Sequence, residues 1–382
     1  MNLLLLLLSP AYALTLDEAV ARAAEVDPAA VVAELDWRKS QLEAGEAWAD
    51  LGPTPSLRAS RRFSGGAVAD SSSATVAIGV LDPPAWLDAG AASASARALR
   101  HTAEATTLDA QYASATLYYR VLAAEAALTA AREGERFATA TATATTARVS
   151  AGLESELVGR SARLGLLEAQ ALTAQAEADV AVARAALSRA LEQDIDALEA
   201  PAAPLALPED TRGSPWLDVA AARVAAAKWA HASAVAGIFP TGGIEAESAA
   251  GTFEDWSLTL GLTWTFDGLA GPFLRAREAA LEQKIQTVQL DALERDLDVT
   301  LTTAREQARA ADRVSEAAKA REILAAESLQ VGQTRLSVGL ASSLEVLRLQ
   351  DEAAKARRDR VKAELDAALS RLEGRRVAGI AW

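Results

Sequence analysis

The chain has 382 residues, no cysteine and a net charge of −14. The charge argues against a nucleic-acid partner, whose phosphates need a basic face, and the missing cysteine excludes disulfides, thiolate metal sites and a cysteine nucleophile. Long stretches are dominated by Ala, Leu, Glu, Arg and Gln, which are strong helix formers, so a mainly helical protein is expected.

Leu3 to Leu8 form an apolar run, followed by Ser9-Pro10 and Ala11-Tyr12-Ala13, an A-x-A cleavage pattern without the usual basic start. Residues 1–13 are expected to be a secretory signal peptide. Thr15-x-x-Glu18 reads as a capping box opening a helix to about Asp50, where Pro53 and Pro55 break it. Two strands are expected near 56–63 and 74–81, separated by Ser64-Gly65-Gly66 and Asp70 to Ser73. Residues 85–200 contain no proline, as an unbroken long helix requires. This span predicts a long helix from about Leu87 to Val149, a turn at Gly152 and a return helix from about Ser155 to Leu198. Within it Thr139 to Thr146 alternates like a strand, but helix on both sides makes it helix of weak propensity.

Residues 201–213 read as a Pro-rich linker. Ser214 is then expected as an N-cap with Pro215 at the first helical position. Strands are expected near 242–249 and 255–265, a long helix over about 272–336 and a return helix over about 342–373. Leu297, Leu301, Ala304, Ala308, Ala311, Ser315 and Ala318 recur at spacings of 4 and 3, a coiled-coil seam. Each long helix, at about 1.5 Å per residue, predicts a length of about 95 Å, hence a rod.

The two halves repeat. Arg148-Val149-Ser150-Ala151-Gly152-Leu153-Glu154-Ser155 and Arg335-Leu336-Ser337-Val338-Gly339-Leu340-Ala341-Ser342 share R-x-S-x-G-L-x-S at an offset of 187 residues. The same offset aligns Leu51-Gly52-Pro53-Thr54 with Ile238-Phe239-Pro240-Thr241. Residues 14–200 and 214–382 are therefore read as first and second structural repeats.

Residues 256–266 alternate strictly: Trp256, Leu258, Leu260, Leu262, Trp264 and Phe266 on one side, Ser257, Thr259, Gly261, Thr263 and Thr265 on the other. Val76, Ile78 and Val80 alternate more weakly with Thr75, Ala77 and Gly79. Four strands with one apolar face cannot close alone, and in lipid only helices and closed barrels satisfy the backbone. Eight steps from Trp256 to Trp264 cover about 26 Å, which at a tilt of about 40° matches an outer-membrane apolar band. Three chains would supply twelve strands, enough for a barrel with a water-filled pore. The other reading is a soluble hairpin packed on helices.

Nucleophile elbow, phosphate loop and metal-spaced cluster are all absent from the sequence, so no catalytic residue, metal or cofactor is expected. The two histidines, His101 and His231, stand far apart in the pattern.

Thr334 to Leu347, with its Val338-Gly339-Leu340 core and Glu345-Val346-Leu347, resembles the helix-hairpin tip motif of the TolC-like outer-membrane efflux proteins. Leu14 to Ala19 resembles that family's mature N-terminus, and Phe266-Asp267-Gly268 the close of its last strand. The resemblance covers nearly the whole mature chain. It implies a mainly α protein with a small β part: tandem long coiled-coil helical hairpins, and four strands given to a trimeric twelve-stranded outer-membrane β-barrel above an α-barrel tunnel. It further implies a passive duct, not an enzyme, located in the outer membrane of a diderm bacterium with a periplasmic helical domain. The implied partners are two further copies of the chain, outer-membrane lipid, a periplasmic adaptor and an inner-membrane pump of RND or ABC type, for efflux or type I secretion. The alternative is a coiled-coil structural protein of the envelope without a pore.

At the tips the resemblance makes Arg148, Gly152, Leu153, Arg335, Gly339 and Leu340 candidate adaptor contacts; the two arginines could equally offset helix dipoles. Glu345 matches a tunnel-entrance acid, but Ser342-Ser343-Leu344-Glu345 is also a capping box. Arg348 stands where the family often has a second acid, and Leu336 where an aromatic is common.

Overall fold

The computed structural model describes residues 13–64, 67–201, 205–207, 213–249, 256–263, 270–380 and 382. Residues 1–12 of the expected signal peptide, most of the expected linker, and Trp264, Phe266, Asp267 and Gly268 lie outside these residues. The elements in chain order are α1 (Leu16–Val26), α2 (Pro28–Ala49), β1 (Thr54–Ser64), β2 (Ala67–Leu81), α3 (Pro83–Ser150), α4 (Glu156–Leu191), α5 (Pro215–Ala236), β3 (Thr241–Ala249), β4 (Trp256–Thr263), α6 (Gly271–Ser337) and α7 (Ser343–Ala378).

The expected first helix is two. Pro28 has no N–H to donate and starts a new helix, while the Asp27 carboxylate accepts from the N–H groups of Ala29 and Ala30 at 2.9 and 3.1 Å. The capping box at Thr15 and Glu18 forms as expected. The first return helix ends at Leu191 rather than Leu198, because Glu192 turns left-handed (φ 50°) and closes it. The second runs on to Ala378, where Gly379 takes that role at φ 72°. Ser214 occupies the N-cap of α5, but its side chain makes no capping bond. Thr139 to Thr146 is helical, and Thr139, Thr143 and Thr146 return their hydroxyls to the carbonyls four residues back.

The chain divides into two compact units, each drawing segments from both halves of the sequence. The first gathers Met1–Ala30, Thr107–Gly213 and Leu297–Trp382. Its core is built from small residues, with Leu301, Ala304, Ala308 and Ser315 of the α6 seam buried as the spacing predicts. Leu329, Val346 and Ala353 pack as a cluster flanked by Leu336 and Leu349. Gly332 allows this approach, since a Cβ there would collide with the Leu349 side chain. Tyr118, fully buried, donates its hydroxyl to the carbonyls of Leu14 (2.7 Å) and Glu199 (2.5 Å) and so fastens the start of α1 and the end of the first half to α3. Salt bridges flank the apolar contacts: Arg184 reaches Glu125 at 2.6 Å, and Arg371 grips Asp312 through two nitrogens at 2.7 and 3.1 Å.

The second unit, Val31–Thr106 and Ser214–Asp296, holds the sheet. Trp229 lies against Gly90, where a Cβ would come within 2.8 Å of the ring. Trp48 donates to Ser93 at 2.8 Å and meets Trp86 edge-on at 6.0 Å. The four strands form one antiparallel sheet in the order β1-β2-β3-β4. Both β1 and β4 are edge strands among the described residues.

Candidate functional site

Two regions carry the residues singled out by the sequence: the sheet and the hairpin tips. In the sheet, residues directly opposed across an antiparallel pair share a face. Ile78, Ile244 and Leu260 stand in one row, and Val76, Ala246 and Leu258 in the next. Trp256 and Leu262 continue that face on β4, and Leu57 joins it through Ala74. Val80 is the exception. A bulge between Gly79 and Leu81 leaves it out of register and brings Leu81 opposite Gly242 and so into the apolar row. Sequence alternation alone could not find this, because the extra residue is visible only against the partner strand.

The other face carries Thr54, Ser56, Thr75, Glu245, Glu247, Ser257 and Thr259. Nothing in the unit covers the apolar side of β4: Trp256 is 68% exposed, Leu258 56%, Leu260 76% and Leu262 70%. Among the described residues no helix is long and apolar enough to cross a membrane.

At the tips the repeat is reproduced in three dimensions. Gly152 (φ 72°) and Gly339 (φ 76°) take the left-handed conformation that a side chain would strain. Leu153 N–H donates to Arg148 O at 2.9 Å and Leu340 N–H to Arg335 O at 2.8 Å, so both long helices end in the same glycine motif. Leu153 and Leu340 are each 70% exposed. The return helices are capped alike: Ser155 accepts from Val158 N–H and Ser342 from Glu345 N–H. Glu345 and Arg348 are both exposed, one turn apart.

Sequence reading missed Glu154. Its carboxylate accepts from the hydroxyl of buried Ser343 at 2.7 Å and lies 3.5 Å from Arg148 Nε, an ion pair without a hydrogen bond. One tip is thereby tied to the first turn of α7. The signal was present: within the repeated octapeptide the second copy has Ala341 where the first has Glu154. The tie continues at heptad steps along α7. Gln350 bonds the side chain of Thr141 on α3, and Arg357 reaches Glu133 on α3 at 2.9 Å.

No family model and no curated protein matches the chain. Solved structures do. The Campylobacter jejuni CmeC outer membrane channel matches with a TM-score of 0.82 at 14% identity, over 95% of this chain and 85% of that one. The outer membrane protein VceC from Vibrio cholerae matches at 0.84 and 16%, over 95% and 96%. The open state of the Neisseria gonorrhoeae MtrE outer membrane channel matches at 0.83 and 19%, over 95% and 88%. The fold of this chain is the fold of these channels, as the tip motif implied.

Proposed function

We propose that the chain is a subunit of an outer-membrane duct: three copies close a twelve-stranded barrel in the membrane and continue it as a helical tunnel into the periplasm. One observation carries this reading. A four-stranded sheet with an uncovered apolar face and two open edges is unstable in water and prone to edge pairing, and both defects vanish when copies pair edge to edge in lipid. The fold shared with outer membrane channels supports the same conclusion. The duct is passive and performs no chemistry.

Exposed apolar positions on the helices of the sheet unit fit the same assembly. Leu281, Ile285 and Val288 of α6 stand at steps of 4 and 3 with no covering partner, the spacing of a helix–helix seam. At the tips, Leu153 and Leu340 are suited to an apolar contact with a periplasmic adaptor, through which an inner-membrane pump of RND or ABC type would deliver cargo for efflux or type I secretion. Arg148, paired with Glu154, serves the tip more than the adaptor; Arg335 stands at the matching helix end. Glu345, with Arg348 one turn on, would line the tunnel entrance.

The test is extraction of the protein from outer membranes in mild detergent. A duct gives a trimer that dissociates on heating and conducts ions in planar bilayers. A water-soluble elongated protein without conductance would instead support the envelope scaffold.

A further inference from the structure

We infer that the polar face of the sheet reverses charge along its length, acidic near the helices and basic further out, and that this makes the assembled barrel conduct unequally in the two directions. The inference rests on the duct reading, in which this face lines the lumen.

Register places the charges in tiers. Glu245 stands opposite Ala77 and Thr259. Two residues further from the helical end of the sheet, Glu247 stands opposite Thr75 and Ser257. The next rung on the same face is Ala249–Ser73–Arg58. Tiers are thus about 7 Å apart along the strands, and Arg58 lies two strands from Glu247, about 12 Å away in all. All three charged residues are exposed, and none joins an ion pair among the described residues. At about 0.1 M salt that distance exceeds the screening length, so the tiers do not neutralise each other.

The strand itself does not ask for these residues. Glutamate is depleted from strands, and two acids on one face about 7 Å apart repel. Serine or threonine, used elsewhere on this face, would hydrate it without that cost. In a threefold barrel the inner tiers hold six carboxylates and the outer tier three guanidinium groups. Acid rings gather cations and basic rings gather anions. With the helical side positive, cations enter through the acidic end and anions through the basic end, so both fill the lumen and current rises. With the opposite polarity both are drained and current falls.

The experiment uses the full-length trimer, inserted from one side into planar bilayers in potassium chloride. At low salt the wild type passes more current with the helical side positive. The asymmetry disappears at about 1 M salt, where the screening length falls to about 3 Å. Glu245→Gln with Glu247→Gln removes the asymmetry and moves the reversal potential toward anion preference. Arg58→Ser also removes it and moves the potential the other way, while Arg58→Lys keeps the wild-type behaviour. Heat-dissociable trimer on gels shows that each variant assembled, and the single glutamine variants, each with half the effect, stand in for a double variant that does not. A conducting channel with symmetric currents, or variants that shift the potential in the same direction, would overturn the inference while leaving the duct intact. An assembled trimer without conductance would overturn the duct reading and this one with it.

Discussion

Tyr118 is held by two backbone carbonyls and has no solvent contact. Burial pushes its hydroxyl up to about 12 from an ordinary 10.0. A raised folded value means that the hydroxyl's contribution is complete below the unfolded value and is lost as pH climbs through the folded one, here between 10.0 and about 12. Tyr118→Phe should cost about 1–3 kcal/mol at neutral pH, since it leaves buried carbonyls short of a donor. In chemical denaturation the gap between wild type and variant should close over that alkaline window. Nothing in the sequence marked Tyr118, because its partners lie 104 and 81 residues away. Glu345 was marked, and its backbone N–H does bond Ser342 at 3.2 Å. That bond uses the N–H and not the carboxylate, so the side chain stays free for the role proposed for it at a tunnel entrance. Glu345→Gln should keep helix stability and weaken cation preference, read as a reversal potential across a salt gradient. An unchanged potential would leave Glu345 a residue of the first helical turn and no more.

The strand β4 offers the sharpest contrast between neighbours. Leu260 stands on the uncovered apolar face and Thr259 on the polar one, one residue apart and pointing oppositely. Leu260→Arg should destabilise the membrane-inserted form by about 2–4 kcal/mol, while Thr259→Arg is tolerated. Equal loss of heat-dissociable trimer from both would remove the lipid-facing assignment. Elements of this kind were legible because their physics is local. Proline-free spans became α3, α4, α6 and α7; strict alternation became β4; and the R-x-S-x-G-L-x-S octapeptides became two matching turns. Illegible features depend on a second strand or helix. The bulge at Val80 exists only relative to β3; the octapeptides do differ at Glu154, but its partner Ser343 stands 189 residues away and could not be paired with it from the sequence. The break at Asp27-Pro28 is a different case. It was readable from the residue itself, since proline is disfavoured in a helix interior and suits a helix start.

At the scale of the molecule, each compact unit takes strands or helices from both sequence repeats, so neither repeat forms a unit by itself. A fragment ending at the linker should therefore not fold independently. Expressed alone, residues 14–200 should be degraded or aggregate, whereas co-expression with residues 214–382 should restore some protease-resistant protein. The open edges of the sheet carry the argument beyond one chain. If a barrel closes only when every edge finds a partner, a subunit defective at one edge still joins through the other and spoils the two healthy subunits it joins. The gene would then behave as dominant negative. In a cell making equal amounts of wild-type and edge-defective chain, only about one assembly in eight would be wholly sound by random threefold mixing. Sensitivity to toxic solutes should fall between wild type and null, but far nearer to null than a halved dose would produce.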